Sequence, residues 1–82
     1  MKLPRDLSAD ELIKGLRRIG YEVTRQTGSH VRLTRATSPQ HHITIPQHSP
    51  LKIGTLNSIV AELSDFLKLS KEELLKKIGI IS

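Results

Sequence analysis

The sequence predicts an α+β domain, in which helices cover one face of a three-stranded antiparallel sheet. Near both ends of the chain, apolar residues recur at the three- and four-residue spacing of a helix. Between them, three short segments alternate apolar and polar residues, as half-buried strands do. A chain of 82 residues suffices for one domain. We therefore predict a single domain over residues 1–82, with residues 68–82 as a C-terminal helical extension.

The first helix is predicted from its N-terminal capping box, its stripe of apolar residues and the glycine that ends it. Ser8 and Glu11 have the spacing of a capping box, in which each side chain bonds the other residue's backbone. Gly20 is a typical helix stop. Gly15 lies beside the apolar stripe, and we interpret it as a point of close packing against the sheet. The stripe consists of Leu12, Ile13, Leu16 and Ile19.

Three strands are predicted over 21–26, 30–35 and 41–45, and Pro46 ends the third. The loop 36–40, which contains Ser38-Pro39, separates the last two. A three-residue loop over 27–29 keeps the apolar faces of the first hairpin consistent, because it places Val23 opposite Leu33. The same register places Gln26 opposite His30. The polar face of the sheet then carries His30, Arg32, Thr34, His42 and Thr44.

Two more helices follow the strands. Gly54-Thr55 is predicted to open the second helix with Thr55 as its N-cap, and Ser70 with Glu73 forms a second capping box before a short third helix that Gly79 closes. Helix, three strands, helix is also the topology of the double-stranded-RNA-binding domain, an analogy that does not by itself establish a function. The stripe of the second helix consists of Leu56, Ile59, Val60, Leu63 and Leu67.

The charge of the chain is concentrated in its middle. The net charge is +5, yet residues 14–52 alone hold seven basic residues and one acidic residue, a net charge of +6. Such a segment attracts polyanions, of which nucleic acid is the first candidate. The alternative interpretation is a solvent-exposed basic face that serves solubility. With one Tyr, one Phe and no Trp, the chain lacks an aromatic platform for stacking single-stranded bases. Contact with the nucleic-acid backbone is what we expect.

Several classes of protein are disfavoured by composition. The absence of cysteine excludes disulfides and thiolate metal sites. The chain shows no signal-peptide pattern and no apolar run of the length that a membrane span requires, so we expect a cytoplasmic protein without a membrane partner. His41 and His42 resemble a metal pair, but neighbouring residues of a strand point to opposite faces. We therefore expect no metal and no cofactor.

His30 is the strongest candidate for a catalytic side chain. It follows Gly28 and Ser29 at the start of a strand, on the polar face. A neutral imidazole there can accept a proton from a ribose 2′-hydroxyl while neighbouring arginines hold the phosphate. A surface histidine in a hairpin is the alternative, and from these residues alone it remains open. The expected contacts to the RNA backbone are Arg25, Arg32 and Lys52, with Gly54 and Thr55 at a helix N-terminus that can bind phosphate.

Three stretches resemble the HicA (YcfA-like) toxin family. They are Leu16-Arg17-Arg18-Ile19-Gly20-Tyr21, the turn Gly28-Ser29-His30, and the run from Ile43 to Val60. The last run contains Ile45-Pro46-Gln47-His48 and Lys52-Ile53-Gly54-Thr55-Leu56-Asn57-Ser58-Ile59. The resemblance covers about residues 10–67. One departure is Ile53, where many members of the family have proline.

The resemblance implies a double-stranded-RNA-binding-like fold, ribosome-independent cleavage of mRNA and neutralisation by a HicB-type antitoxin. It places the family's catalytic histidine on His30 and the preceding turn on Gly28 and Ser29. It thus implies a metal-independent endoribonuclease, the toxin of a type II toxin–antitoxin system. Two alternatives stay open, a non-catalytic RNA-binding module of the same fold and a small protein whose polar sheet docks a partner.

Overall fold

The computed structural model describes residues 3–37 and 39–81 and shows the predicted order of elements. Helix α1 (Ala9–Arg17) precedes strands β1 (Tyr21–Thr27), β2 (His30–Arg35) and β3 (His41–Pro46), and helices α2 (Ile53–Leu67) and α3 (Lys71–Lys77) follow. The predicted α+β fold class is confirmed. Ser38 of the predicted loop 36–40, and both ends of the predicted domain, lie outside the described residues.

The caps of α1 and α3 form as the sequence predicts, whereas the start of α2 differs. Both capping boxes are complete, with Ser8 and Ser70 as N-caps. The prediction of Thr55 as the N-cap of α2 is wrong, because the helix begins at Ile53 after Lys52. Leu51 is buried and its N–H donates to the Leu7 carbonyl at 2.7 Å. The chain is therefore anchored immediately before α2, which starts at once.

The three strands form one antiparallel sheet in the order β1-β2-β3. Val23 pairs with Leu33 as predicted, but the predicted pairing of Gln26 with His30 is wrong. The register shifts between Val23 and Arg25, so Thr24 forms a β-bulge, and Thr27 pairs with His30 across a two-residue turn. A bulge inserts one residue into a strand, and it reverses the faces of the residues that follow it.

One face of the sheet forms the hydrophobic core with the helices. Val31 and Leu33 of β2 and Ile43 and Ile45 of β3 are buried on this face. Gly15 packs closely, but the predicted neighbour is wrong. A Cβ built there would lie 2.5 Å from the Ile78 carbonyl oxygen just after α3, rather than against the sheet. The helices contribute Leu12, Leu16, Leu56, Val60, Leu63, Leu74 and Leu75 to the same core.

The loop between β3 and α2 is hydrogen-bonded to the turn between β1 and β2 and to the start of α1. The Gln47 N–H donates to the Ser29 carbonyl at 2.6 Å, which extends the β2–β3 ladder to the hairpin turn. The Ala9 N–H donates to the His48 carbonyl at 3.1 Å, which joins the same loop to α1. The turn that precedes His30 is thereby held in place by a hydrogen bond from the residue that follows β3. Within the described residues, no helix is long and apolar enough to span a membrane.

Candidate functional site

The sheet face opposite the helices is polar, and its side chains stand in three rows across the strands. We call this surface the polar face. Residues directly opposite each other in antiparallel strands point to the same side, so the pairing defines each row. Successive rows are two residues apart along a strand, about 7 Å. The rows are Thr27, His30 and Pro46; Arg25, Arg32 and Thr44; and Glu22, Thr34 and His42.

The first row holds the predicted active-site turn. His30 is exposed and is the first residue of β2. Gly28 occupies the left-handed region with φ 56°, which glycine adopts without the steric penalty of a side chain. Ser29 is held through its carbonyl by Gln47. The turn is thus fixed by backbone geometry, while the imidazole of His30 remains open to solvent.

The second row consists of two arginines that face each other. Arg25 and Arg32 are direct cross-strand partners and both are exposed. Strict alternation from Val23 would have placed Arg25 on the helix-covered side, and the bulge at Thr24 moves it to the polar face. Like charges directly opposite each other destabilise a sheet, and an anion between them removes that cost. The row next to His30 is therefore suited to bind a phosphate group.

The third row contains a histidine whose ring is held by hydrogen bonds. The Thr34 hydroxyl lies 2.8 Å from His42 Nδ1, and the Thr24 hydroxyl lies 2.9 Å from that of Thr34. Thr34 is buried, with 7% of its surface exposed, whereas His42 is exposed. The sequence pattern predicts Thr34 and His42 on this face and indicates no catalytic or RNA-binding role for either. Thr34 has the outward parity of its exposed neighbours His30 and Arg32, so the sequence pattern carries no signal that could have singled it out.

The other residues predicted to bind RNA lie at the start of α2. Lys52 and Gly54 are exposed there, and Thr55 is half-buried. Among the described residues, no side chain caps this helix, and its first turn carries no acidic residue. Unsatisfied N–H groups at such an N-terminus favour an anion. Thr55 lines the same groove as Pro46, which pairs with His30, so α2 begins beside the first row.

His41 and His42 lie on different sides of the sheet. His41 Nδ1 is 2.7 Å from the Tyr21 hydroxyl, its Nε2 is 3.2 Å from Glu62 Oε2, and its ring stacks on Phe66. His42 bonds Thr34 on the polar face. Among residues 3–37 and 39–81, no three His, Asp or Glu side chains are placed to share a metal ion.

Comparison with protein families matches residues 9–80 to the family described as the HicA toxin of bacterial toxin–antitoxin systems. The chain belongs to the HicA toxin family. The match includes the His30 turn, both arginines of the second row and the start of α2. Membership assigns this toxin to a toxin–antitoxin system and implies an antitoxin partner. Comparisons with curated proteins and with solved structures gave no match.

Proposed function

We propose that this toxin is an endoribonuclease that cleaves mRNA by acid–base catalysis at His30, without a metal ion. The observation that carries the proposal is the pair Arg25 and Arg32, which lies one row from His30 on an open, polar face. Two opposed arginines can hold the phosphate next to the one at His30. Phosphate contacts fix the position of a strand and carry little sequence information.

The proposed reaction uses the ribose as its own nucleophile. The imidazole of His30 accepts the 2′-hydroxyl proton, and the 2′-oxygen attacks the adjacent phosphorus. The bond from phosphorus to the 5′-oxygen breaks, and that oxygen takes a proton from the imidazolium or from water. The products are a 2′,3′-cyclic phosphate and a 5′-hydroxyl. The arginines stabilise the charge that develops on the phosphate.

We infer that Lys52, Gly54 and Thr55 add a contact to the RNA backbone. The N-terminus of α2 carries free N–H groups and a basic residue. It lies beside the first row, because Thr55 of α2 and Pro46 of that row line the same groove. An mRNA substrate would place the toxin's action in the cytoplasm. The contribution of each backbone contact should appear as a salt-dependent affinity, with a slope of about −0.7 per neutralised phosphate on single strands.

We infer that the antitoxin is of the HicB type and that it covers the polar face. The opposite side of the sheet is buried under the helices, so the polar face is the accessible surface that carries His30, Arg25 and Arg32. An acidic partner would be attracted by the same positive charge that attracts RNA. It would exclude RNA by occupying its site and would need no conformational change.

Substitution of His30 by Ala tests the proposal directly. Purified wild-type protein should cleave a long single-stranded RNA, and H30A should not, while its thermal unfolding should change little because the side chain is exposed. His48 is an exposed loop histidine, and H48A is the matched control that should keep its activity. A folded H30A that still cleaves would refute the assignment. Salt-sensitive RNA binding without any cleavage by the wild type would favour a non-catalytic RNA-binding module.

A further inference from the structure

A groove separates the free edge of β3 from helix α2. Its volume is about 510 Å³, within the range of small-ligand sites. Its lining includes His42, Thr44 and Pro46 of β3 and Thr55, Ser58 and Glu62 of α2, together with one isoleucine from each element. Because these β3 residues also belong to the three rows of the polar face, the groove runs along the border of that face.

We propose that the His42 end of this groove, opposite the end formed by Pro46, is a second RNA subsite, which receives the ribose and base of a nucleotide several positions away from the bond cleaved at His30. His42 is its positioning residue. The inference rests on the proposed function for the direction of the RNA strand, but the subsite itself can be tested by binding alone.

The imidazole of His42 is oriented although it is exposed. An exposed histidine ordinarily samples several rotamers. Here Thr34 bonds Nδ1 at 2.8 Å, and Thr24 in the bulge bonds Thr34 at 2.9 Å. Since Thr34 is buried, this chain of hydrogen bonds ties the ring across β2 to the bulge of β1. Within the described residues Nε2 has no hydrogen-bond partner, so it is available to a ligand in the groove.

The distance from His30 assigns His42 to a different nucleotide. His42 pairs with Thr34, four residues along β2 from His30, which corresponds to about 13 Å. Two imidazoles that far apart cannot act on one phosphate. At about 3.4 Å per nucleotide, that distance spans roughly four nucleotides of a stacked strand, and fewer of an extended one. The arginine row lies between them and would hold the intervening phosphates.

The charges at the groove favour a ribose and base over a phosphate. Its walls contain no lysine or arginine, and Glu62 lines it, while Glu22 lies in the row of His42. Carboxylates repel a phosphate. The hydroxyls of Thr44 and Ser58 can instead bond a 2′-hydroxyl or a base edge, which are the groups that proteins read in RNA. The ring of His42 can stack on a base.

A peptide strand is the competing occupant, because β3 is an edge of the described sheet. The bond from Gln47 to Ser29 fixes the ladder so that the backbone groups of His42 and Thr44 point away from β2. An antitoxin strand could pair with them. The oriented imidazole and its continuity with the arginine row favour RNA, since strand addition would use the backbone and leave the Thr24–Thr34–His42 chain without a role.

Cleavage of RNAs of increasing length tests the subsite. Substrates are lengthened one nucleotide at a time on either side of the cleaved bond, and kcat/KM is measured for wild type, H42A and H48A. Wild type should gain activity when the RNA becomes long enough to enter the groove. H42A should lose that gain, about tenfold, the scale of one stacking contact, and should match wild type on the shortest substrates. T34V should reproduce the loss and T34S should restore activity, with thermal unfolding as the check of folding.

Other outcomes separate this inference from the proposed function. Equal losses on all lengths, or no loss in H42A, would overturn the subsite. If H42A loses affinity for the antitoxin but keeps full activity on long RNAs, the groove is assigned to a peptide strand. If wild type cleaves none of the RNAs, the same length series with a 2′-deoxy nucleotide at each position is measured by equilibrium binding. A length-dependent gain that H42A loses would then keep the subsite and refute the nuclease, and its absence would refute both.

Discussion

The hydroxyl of Tyr21 and Nδ1 of His41 lie 2.7 Å apart, and this contact joins β1 to β3 across the helix-covered side of the sheet. Tyr21 is fully buried, with 0% of its surface exposed. His41 also bonds Glu62 and stacks on Phe66, at a centroid distance of 4.1 Å. One histidine therefore connects both edge strands to α2, on the side of the sheet away from His30.

Tyr21 should ionise only at a pH above the ordinary range of tyrosine. Burial raises its pKa, Arg35 opposes this and Glu62 adds to it. Because the folded protein binds the phenolic proton more tightly, this contribution to stability is complete below pH ~10 and is lost as the pH rises further. Absorbance of tyrosinate reports on Tyr21 alone, since the chain has one Tyr and no Trp. Identical titrations of native and denatured protein would contradict the expectation.

Substitution of Gly15 by Ala should destabilise the protein, although alanine is the better helix former. The gain in helix propensity is up to ~1 kcal/mol. The new Cβ, however, would lie 2.5 Å from the Ile78 carbonyl oxygen and 3.1 Å from Ile78 Cβ, so the chain after α3 must move. We expect a net loss of about 1–3 kcal/mol in urea unfolding. G54A is the control, because nothing lies within 4 Å of its Cβ. Equal stability of the two variants would refute this packing.

The capping box of α3 should make stability depend on pH. The backbone and side-chain hydrogen bonds from Ser70 lower the pKa of Glu73, and Lys77 lowers it slightly more. A lowered pKa in the folded state gives stability that is present above pH ~4.3 and is lost as the pH falls through the folded value. E73Q should therefore be less stable than wild type at neutral pH and equal to it in acid. E72Q serves as the control, and a constant difference at all pH values would speak against the effect.

Cleavage should persist in EDTA and should leave 2′,3′-cyclic phosphate ends. A base at the 2′-hydroxyl makes the ribose the nucleophile, and the cyclic product follows from that attack. His41 and His42 bond different partners on opposite sides of the sheet, so they are not arranged as a metal pair. End-group analysis of the RNA fragments is the measurement. Complete inhibition by EDTA that magnesium reverses would show a different mechanism.

Charge reversal of Arg32 should slow the association of both RNA and antitoxin. Both ligands are proposed to use the polar face, and electrostatic attraction acts mainly on the association rate. R32E should weaken all RNA sequences about equally and flatten the salt dependence, because a phosphate contact carries no base information. K71E, on α3, is the charge-matched control. A stable ternary complex of toxin, antitoxin and RNA bound through this face would rule out competition.

Local sequence signals were sufficient for most of the fold. The two capping boxes at Ser8 and Ser70 set the starts of α1 and α3, because both hydrogen bonds join residues three positions apart. The alternation of β2 and β3 set their inward and outward faces, since apolar side chains at every second residue leave one register that buries them all. His30, at the start of β2, could therefore be placed on the polar face from the sequence.

Only the tertiary structure decided the second half of β1, the start of α2 and the neighbour of Gly15. After Val23, the strand reads Thr24-Arg25-Gln26-Thr27, and without an apolar residue no burial distinguishes one register from another. The ladder accommodates an extra residue at Thr24, which brings Arg25 opposite Arg32, and the hydroxyl of Thr24 bonds Thr34. A bulge satisfies hydrogen bonds between strands that are distant in the chain, so its position depends on the partner strand and not on the local pattern.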